Sequence, residues 1–151
     1  MEIQEWQRGG FVISTDRAKM QIDVIYDYIS KQSYWMAGIP KSRVQRIIDN
    51  ALNFGIFDGP RQIGYADVIT DFATFAYLAN VFVLEDYRGQ GLSKWLMECI
   101  LAHPDLQDLR RWTLLTADAH GLYKQYGFEP INNPESWMHR YNAETYKNEI
   151  P

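Results

Sequence analysis

Residues 88–93, with the sequence Arg-Gly-Gln-Gly-Leu-Ser, have the composition of an anion-binding turn. They follow an apolar run at 81–84 and precede apolar residues spaced as on one face of a helix. The first backbone N–H groups of a helix have no internal partner, and the helix dipole favours negative charge there. Arg88 adds a positive charge, while Gly89 and Gly91 let a ligand approach the backbone. The turn is therefore predicted to bind a phosphate or pyrophosphate group.

Two common phosphate loops do not match this turn. A Walker A loop ends in Gly-Lys-Ser/Thr, and Gly91-Leu92-Ser93 lacks the lysine. A dinucleotide-binding fingerprint needs a third glycine, whereas this chain continues with Ser93 and Lys94. A nucleotide-binding domain is therefore the weakest interpretation of the turn.

The pattern Arg-x-x-Gly-x-Gly/Ala does match, with Ser93 in its last position. With Tyr87 before it and Trp95 after it, the stretch resembles the acetyl-CoA loop of the GCN5-related N-acetyltransferase (GNAT) family. Ser93 departs from the family, which usually has Gly or Ala there. Serine is small, so we expect close approach of a ligand to the backbone to be preserved.

A second segment, residues 122–128, is similar to the other GNAT signature. Its sequence is Leu-Tyr-Lys-Gln-Tyr-Gly-Phe, which predicts a short helix ended by a glycine and followed by a strand. Gly127 suits the left-handed residue just after a helix end. One predicted helix and one predicted strand lie between the two motifs, in the family's order. Two motifs in this order are much more specific than either alone.

The resemblance implies an α/β (α+β) fold, with a mixed, mostly antiparallel sheet flanked by helices. In this fold the strand ending at Leu84 splays from the strand at Thr113, and acetyl-CoA enters between them. Pantetheine pairs with backbone near Phe82 and Val83, and the pyrophosphate rests on the 88–93 turn. The residues so assigned to the cofactor are Phe82, Val83, Arg88, Gly89, Gln90, Gly91, Leu92, Ser93, Thr116 and His120. Thr116 stands where many members have an asparagine, and a structural role for His120 in its loop is the other interpretation.

The chemistry that the resemblance implies is acetyl transfer from a thioester to an amine. In the family, a tyrosine at the position of Tyr123 often donates a proton to the departing CoA thiolate. Tyr126, three residues later, is expected to pack. No base is identifiable from the sequence, although Asp71, Asn80 and Glu85 flank the central strand. Glu85 is the candidate catalytic base, and the alternative is that it shapes the turn.

The acceptor is expected to be a primary amine of a small molecule or a protein. Tyr34 and Trp35 lie in a loop that borders the acceptor end of the cleft in this fold. Their rings could form an aromatic wall for an ammonium group, or they could simply cap the core. A non-catalytic acyl-CoA-binding or sensor module is the alternative function.

No metal site is expected, because the chain has three scattered histidines and one cysteine. Cys99 falls on the apolar face of the predicted helix, which favours a buried, inert thiol over a nucleophile.

The chain is interpreted as a single acetyltransferase domain spanning residues 1–151. The predicted elements alternate as β-α-α-β-β-β-α-β-α-β-β, the order of the GNAT fold. Their approximate positions are a strand at 10–15, a helix with Ile22, Ile25, Tyr26 and Ile29 on its apolar face, a helix capped by Ser42, a hairpin of 54–57 and 62–70, a strand at 74–84, a helix at 92–102, a strand at 113–117, a short helix before Gly127, a strand starting at Phe128, and a last strand near 137–141.

The net charge of −4 argues against a general nucleic-acid binder, which would carry a basic face. The longest uncharged stretch, residues 72–84, is too short to cross a membrane. The N-terminus has no visible targeting signal, and one cysteine permits no internal disulfide. A cytoplasmic location is therefore expected, with no membrane partner. A homodimer is possible, because dimers are common in the family.

Overall fold

The computed structural model describes residues 1–147. Its helices and strands are β1 (Glu5–Arg8), β2 (Phe11–Ser14), α1 (Ile22–Asp27), α2 (Lys41–Asn50), β3 (Leu52–Asp58), β4 (Arg61–Thr70), β5 (Phe75–Val83), α3 (Leu92–Leu101), β6 (Arg111–Thr113) and α4 (His120–Lys124). A π-helical turn, Tyr28–Gln32, continues α1, and a 3-10 turn, Glu85–Tyr87, connects β5 to the glycine-rich turn.

The six strands form one sheet in chain order, from β1 to β6. Neighbouring strands are antiparallel except β5 and β6, which are parallel. The expected fold class, a mixed and mostly antiparallel sheet flanked by helices, is therefore confirmed.

Successive side chains of β4 point to opposite faces of the sheet and enter two separate cores. Ala66 belongs to the core beneath α3, whose buried face includes Trp95, Leu96 and Ile100. Tyr65 belongs to the core beneath α1 and α2. None of the helices within residues 1–147 is long and apolar enough to cross a membrane.

Three expected elements were displaced or incomplete. The first strand was predicted at 10–15, but a left-handed residue at Gly9 turns the chain so that two strands, β1 and β2, form a hairpin. Helix α2 begins at Lys41 after Pro40, so Ser42 lies inside the helix and does not cap it. The strand predicted at 113–117 ends at Thr113, because it pairs only with the first residues of β5.

The two strands predicted after α4, one starting at Phe128 and one near 137–141, are wrong. Within residues 1–147 neither segment contains a strand, and Met138 and Tyr141 are largely exposed. The element order of the family predicts strands there, but neither segment forms a sheet pairing in the described part of the chain.

Strand β5 leaves its neighbour β6 after three paired residues. The last pair is Tyr77 with Thr113, and in the described part of the chain the rest of β5 pairs only with β4. The β4–β5 register also shifts between Tyr65 and Asp67, opposite Asn80, which has a left-handed backbone with φ of 53°. The end of β5 and the segment after Thr113 are therefore unpaired with each other, at the place where the resemblance implies a splay, and the space between them is called the gap.

Candidate active site

The glycine-rich turn leaves its backbone open at the start of α3. Gly89 and Gly91 have φ of 81° and 78°, a conformation that side-chain-bearing residues rarely adopt. A Cβ added at either position would meet no atom within 4 Å, so the space above the turn is free. Gly91 is the N-cap of the ten-residue α3, and no side chain of the described residues caps the helix there. This geometry fits an anionic group bound by backbone N–H groups.

Arg88 attaches the turn to the end of β5. Its Nε donates to the Val83 carbonyl at 3.0 Å, and its Nη2 donates to the Tyr28 hydroxyl at 3.0 Å. Tyr28 in turn stacks on Phe82, with ring centroids 4.1 Å apart. Two of the five N–H groups of the guanidinium are thus engaged by the protein. The role of Tyr28 was missed, because sixty positions separate it from Arg88.

A hairpin supports the turn from its other side. The hydroxyl of Tyr87 donates to Asp58 Oδ2 at 2.8 Å, at the β3–β4 hairpin. This hydrogen bond raises the pKa of Tyr87. Gln90 Nε2 donates to the Tyr87 carbonyl at 3.3 Å, while Leu92 is buried and Ser93 is half-buried at the start of α3. The turn therefore rests on contacts at both of its ends.

Tyr123 lies in the buried face of α4. Its side chain is 8% exposed and packs against Phe128, with ring centroids 6.0 Å apart. Burial raises the pKa of Tyr123 to about 12, with smaller contributions from Tyr34 and Asp118. Gly127 follows with φ of 89°, as the sequence predicted for the helix end. The phenol is therefore protonated at neutral pH and able to donate a proton.

Thr116 and His120 border the start of α4. The Thr116 hydroxyl oxygen accepts from the backbone N–H of Ala119 at 3.0 Å and of Asp118 at 3.4 Å, which orders the turn before the helix. His120 is the first residue of α4 and is exposed.

Tyr34 and Trp35 connect the two sides of the gap. Trp35 Nε1 donates to Asn80 Oδ1 at 2.8 Å, on the β5 side. The backbone N–H of Ala117 donates to the Tyr34 hydroxyl at 2.9 Å, on the other side. The two rings meet edge to face, with centroids 5.0 Å apart. This aromatic pair, Tyr34 and Trp35, therefore spans the gap from the connection between α1 and α2.

Asp67 is the buried carboxylate that sequence reasoning missed. It is fully buried in β4, and Asn80 Nδ2 donates to its Oδ2 at 2.7 Å. Its Oδ1 has no hydrogen-bond partner, because the hydroxyl hydrogen of neighbouring Tyr65 goes to Asn53 Oδ1. Burial raises the pKa of Asp67 to about 7, although hydrogen bonding opposes the shift. An aspartate within the apolar run 63–69 was the available signal in the sequence.

The other flanking acids are at the surface. Glu85 is exposed in the turn after β5. Asp71 is exposed as well, and its Oδ1 accepts from the backbone N–H groups of Ala73, Thr74 and Phe75, so it orders the β4–β5 connection. The Thr74 hydroxyl, which donates to Asp71 Oδ2, and these backbone hydrogen bonds hold the pKa of Asp71 well below its usual range.

Cys99 is buried in α3, and burial raises the pKa of its thiol to about 12, which confirms the prediction of an inert thiol. Within residues 1–147 no group of three or more His, Cys, Asp and Glu side chains is placed to hold a metal ion.

Comparisons with known proteins agree on one family. The family model "Acetyltransferase (GNAT) domain" matches residues 50–130. A Gibberella zeae protein named "putative acetyltransferase" is 31% identical over 80% of this chain and 79% of its own length.

Solved structures give the same picture. A Xanthomonas campestris pv. campestris protein assigned to the GNAT family is 48% identical and covers 94% of this chain and all of its own, with a TM-score of 0.90. A GNAT family acetyltransferase from Elizabethkingia anophelis, solved with acetyl-CoA bound, shares the fold at 14% identity, with a TM-score of 0.62 over 83% of this chain and 80% of its own.

Proposed function

Because this chain belongs to the GNAT acetyltransferase family, we propose that it transfers the acetyl group of acetyl-CoA to a primary amine. The observation that carries the proposal is the open, left-handed turn at the start of α3, beside the point where β5 leaves β6. The chain is an acetyl-CoA-dependent acyltransferase by family, and the amine acceptor and the roles below are the proposal.

The cofactor is proposed to run from the 88–93 turn toward the aromatic pair. Its pyrophosphate would bind the backbone of Gly89, Gln90, Gly91, Leu92 and Ser93, with Arg88 supplying positive charge. Its pantetheine would follow the end of β5 at Phe82 and Val83, with Thr116 and His120 on the opposite side. The free space above the two glycines supports this path.

The proposed reaction forms a C–N bond and breaks a C–S bond. The neutral amine nitrogen attacks the thioester carbonyl carbon, and the sulfur leaves with the bonding electrons. Tyr123 donates its hydroxyl proton to that sulfur and regains one from solvent. Burial raises the pKa of Tyr123 to about 12, so the phenol carries the proton that this role requires.

The amine must lose a proton to a base. We propose Glu85 for this step, acting through water because its side chain is exposed. We propose the aromatic pair, Tyr34 and Trp35, as the wall of the acceptor site, since 59% and 37% of these residues are exposed beside the gap.

We also propose that residues 1–151 form one domain, located in the cytoplasm. A homodimer is a further proposal, and analytical ultracentrifugation of the full chain tests it.

The central experiment is calorimetry with acetyl-CoA together with mass spectrometry of a panel of primary amines incubated with acetyl-CoA and the protein. Binding with N-acetylated product supports an enzyme. Binding without any product, or with free acetate alone, supports the acyl-CoA-binding module instead. Failure to bind acetyl-CoA refutes both.

A further inference from the structure

The buried carboxylate of Asp67 lowers the stability of the folded protein unless a partner compensates for its burial. Burying an ionised carboxylate without a full set of partners is unfavourable, and β4 could accommodate an apolar residue there. Among residues 1–147, only two buried side-chain polar atoms have no hydrogen-bond partner, Asp67 Oδ1 and His103 Nε2. The ring of His103 faces Phe54 edge to face at 5.8 Å, which gives its N–H an aromatic neighbour. The Tyr65 hydroxyl interacts with the Asp67 carboxylate, but its hydrogen goes to Asn53 Oδ1, so Asp67 Oδ1 has no donor among the described residues.

The surroundings of Asp67 hold it in place. Asn80 Nδ2 fixes one carboxylate oxygen, and Asn80 Oδ1 is itself fixed by the Trp35 indole. Asn80 occupies the strand irregularity at which the gap begins, so the chain Trp35–Asn80–Asp67 leads from the exposed aromatic pair to the buried oxygen. Tyr65 and Tyr77 are the titratable neighbours on the same face, and both have a pKa raised by burial and by Asp67. No cation of the described residues pairs with Asp67.

We propose that the unpartnered oxygen of Asp67 binds the ammonium group of the acceptor before that group loses its proton to the base, with Trp35 packed against the acceptor's carbon chain. This inference rests on the proposed acetyltransferase function and specifies its substrate as a cationic primary amine with an apolar carbon skeleton. An ammonium group supplies the hydrogen-bond donors and the positive charge that Asp67 lacks. Trp35 is 37% exposed and must move to admit it, which breaks its hydrogen bond to Asn80.

A carboxylate in this position also selects against other amines. A carboxylate on the acceptor near the reacting nitrogen would be repelled by Asp67, and an uncharged molecule of the same shape would leave the buried charge unpaired. The acceptor is thus expected to carry its positive charge on the nitrogen that enters the site and no negative charge close to it.

The test uses the full-length protein and three probes: n-butylamine, 2-phenylethylamine and the uncharged control 1-butanol. Binding is followed by the indole N–H resonance of Trp35, assigned by its loss in Trp35→Phe. We expect both amines, but not 1-butanol, to shift this resonance. Asp67→Asn keeps an acceptor for Asn80 and should weaken amine binding by about 10- to 100-fold, the scale of a charge-assisted hydrogen bond. Asp49→Asn, the same change on the surface of α2, should leave binding unchanged.

Two further readouts separate this role from a structural one. Asp67→Asn should unfold at the same or a higher temperature at pH 8, because it removes a buried charge. It should also bind acetyl-CoA with wild-type affinity and raise the KM of the amine more than it lowers kcat. Equal amine binding by Asp67→Asn and wild type, or no amine binding by wild type, overturns the inference. If the wild-type protein does not bind acetyl-CoA, the proposed acetyltransferase function is refuted, and with it the basis of this inference.

Discussion

The 88–93 turn follows the end of β5, whereas the aromatic pair contacts Asn80 within β5 and Ala117 after β6. The two regions are built in different ways. The turn is made of backbone: two left-handed glycines, the uncapped start of α3 and free space above them. The acceptor end is made of side chains that hold one another, through Trp35 with Asn80 and Tyr34 with the N–H of Ala117. The first is open before any ligand arrives, whereas the second is closed by its own hydrogen bonds.

This difference corresponds to what each end is proposed to recognise. A pyrophosphate is the same in every acetyl-CoA molecule, and a fixed array of N–H groups can bind it without rearrangement. An acceptor must be selected, and side chains that first have to break their own hydrogen bonds bind only partners that replace those bonds. The comparison predicts that substitutions in the turn affect acetyl-CoA alone, and that substitutions in the aromatic pair affect the acceptor alone.

Gly91→Glu is the strongest test of the open turn. A side chain at φ of 78° is strained, and its carboxylate would occupy the space assigned to the pyrophosphate. Loss of two charge-assisted hydrogen bonds, at about 1.5–3 kcal/mol each, corresponds to a loss of affinity on the order of 10²–10⁴-fold. Calorimetry with acetyl-CoA measures it.

Gly9→Glu is the matched control for that substitution. Gly9 also has a positive φ, of 57°, with nothing near its missing Cβ, but it lies in the β1–β2 hairpin. It should share the backbone strain and the added charge without the effect on binding. Similar losses in both variants would mean that strain, and not the phosphate site, governs the result.

Tyr123→Phe tests chemistry between the two ends. A phenol that protonates the departing thiolate acts in the transition state, so its removal should lower kcat by about 10²–10⁴-fold while acetyl-CoA affinity stays nearly constant. Tyr126→Phe is the control on the same helix end. The Tyr126 hydroxyl donates to the Lys94 carbonyl, so its loss should have a mild effect. A Tyr123→Phe enzyme that turns over normally, or one that mainly loses acetyl-CoA, would exclude Tyr123 as the acid.

The sequence predicted the backbone end well, because its information is local. The glycines, the arginine and the helix pattern all fall within 88–100, and the structure has α3 beginning at Leu92, right after Gly91. The acceptor end depends on contacts across the fold. Trp35 and Asn80 are 45 positions apart, and Tyr34 and Ala117 are 83 apart. No pattern within one element could have shown these pairs.

Asp67 was missed for a related reason. A single aspartate in an apolar strand has no partner within its own element, and its meaning depends on Asn80 across the β4–β5 irregularity. The strand predicted near 137–141 is wrong for a different reason. The element order of the family predicted it, but sheet pairing is decided by contacts that an element order does not contain.

Arg88→Ala tests two possible roles of Arg88 in acetyl-CoA binding. Arg88 can attract the pyrophosphate through its positive charge, or it can hold the turn in place through its hydrogen bonds. Loss of a charge-assisted hydrogen bond to pyrophosphate should weaken acetyl-CoA binding by about 1–3 kcal/mol. Tyr28→Phe removes one partner of the guanidinium and keeps the charge. If charge dominates, Tyr28→Phe should bind acetyl-CoA nearly as the wild type does. If both variants lose affinity equally, the role of Arg88 is to brace the turn against β5.

Substitutions in the aromatic pair are expected to have the smallest effects on KM. They test whether acceptor binding depends on different residues from acetyl-CoA binding. Trp35→Phe removes the N–H that Asn80 accepts and keeps an aromatic face, while Tyr34→Phe removes the acceptor of the Ala117 N–H. One such hydrogen bond contributes about 0.5–1.5 kcal/mol. Because it has to break before an amine binds, its removal should lower the KM of an acceptor amine by roughly twofold to tenfold and change that of acetyl-CoA by less. Steady-state kinetics with each substrate varied in turn, beside melting temperatures, measures the difference. Trp35→Ala should instead raise the acceptor KM, because the ring face is lost. Equal increases in both KM values, together with a lower melting temperature, would show that the pair belongs to the core and that the gap has only one specialised end.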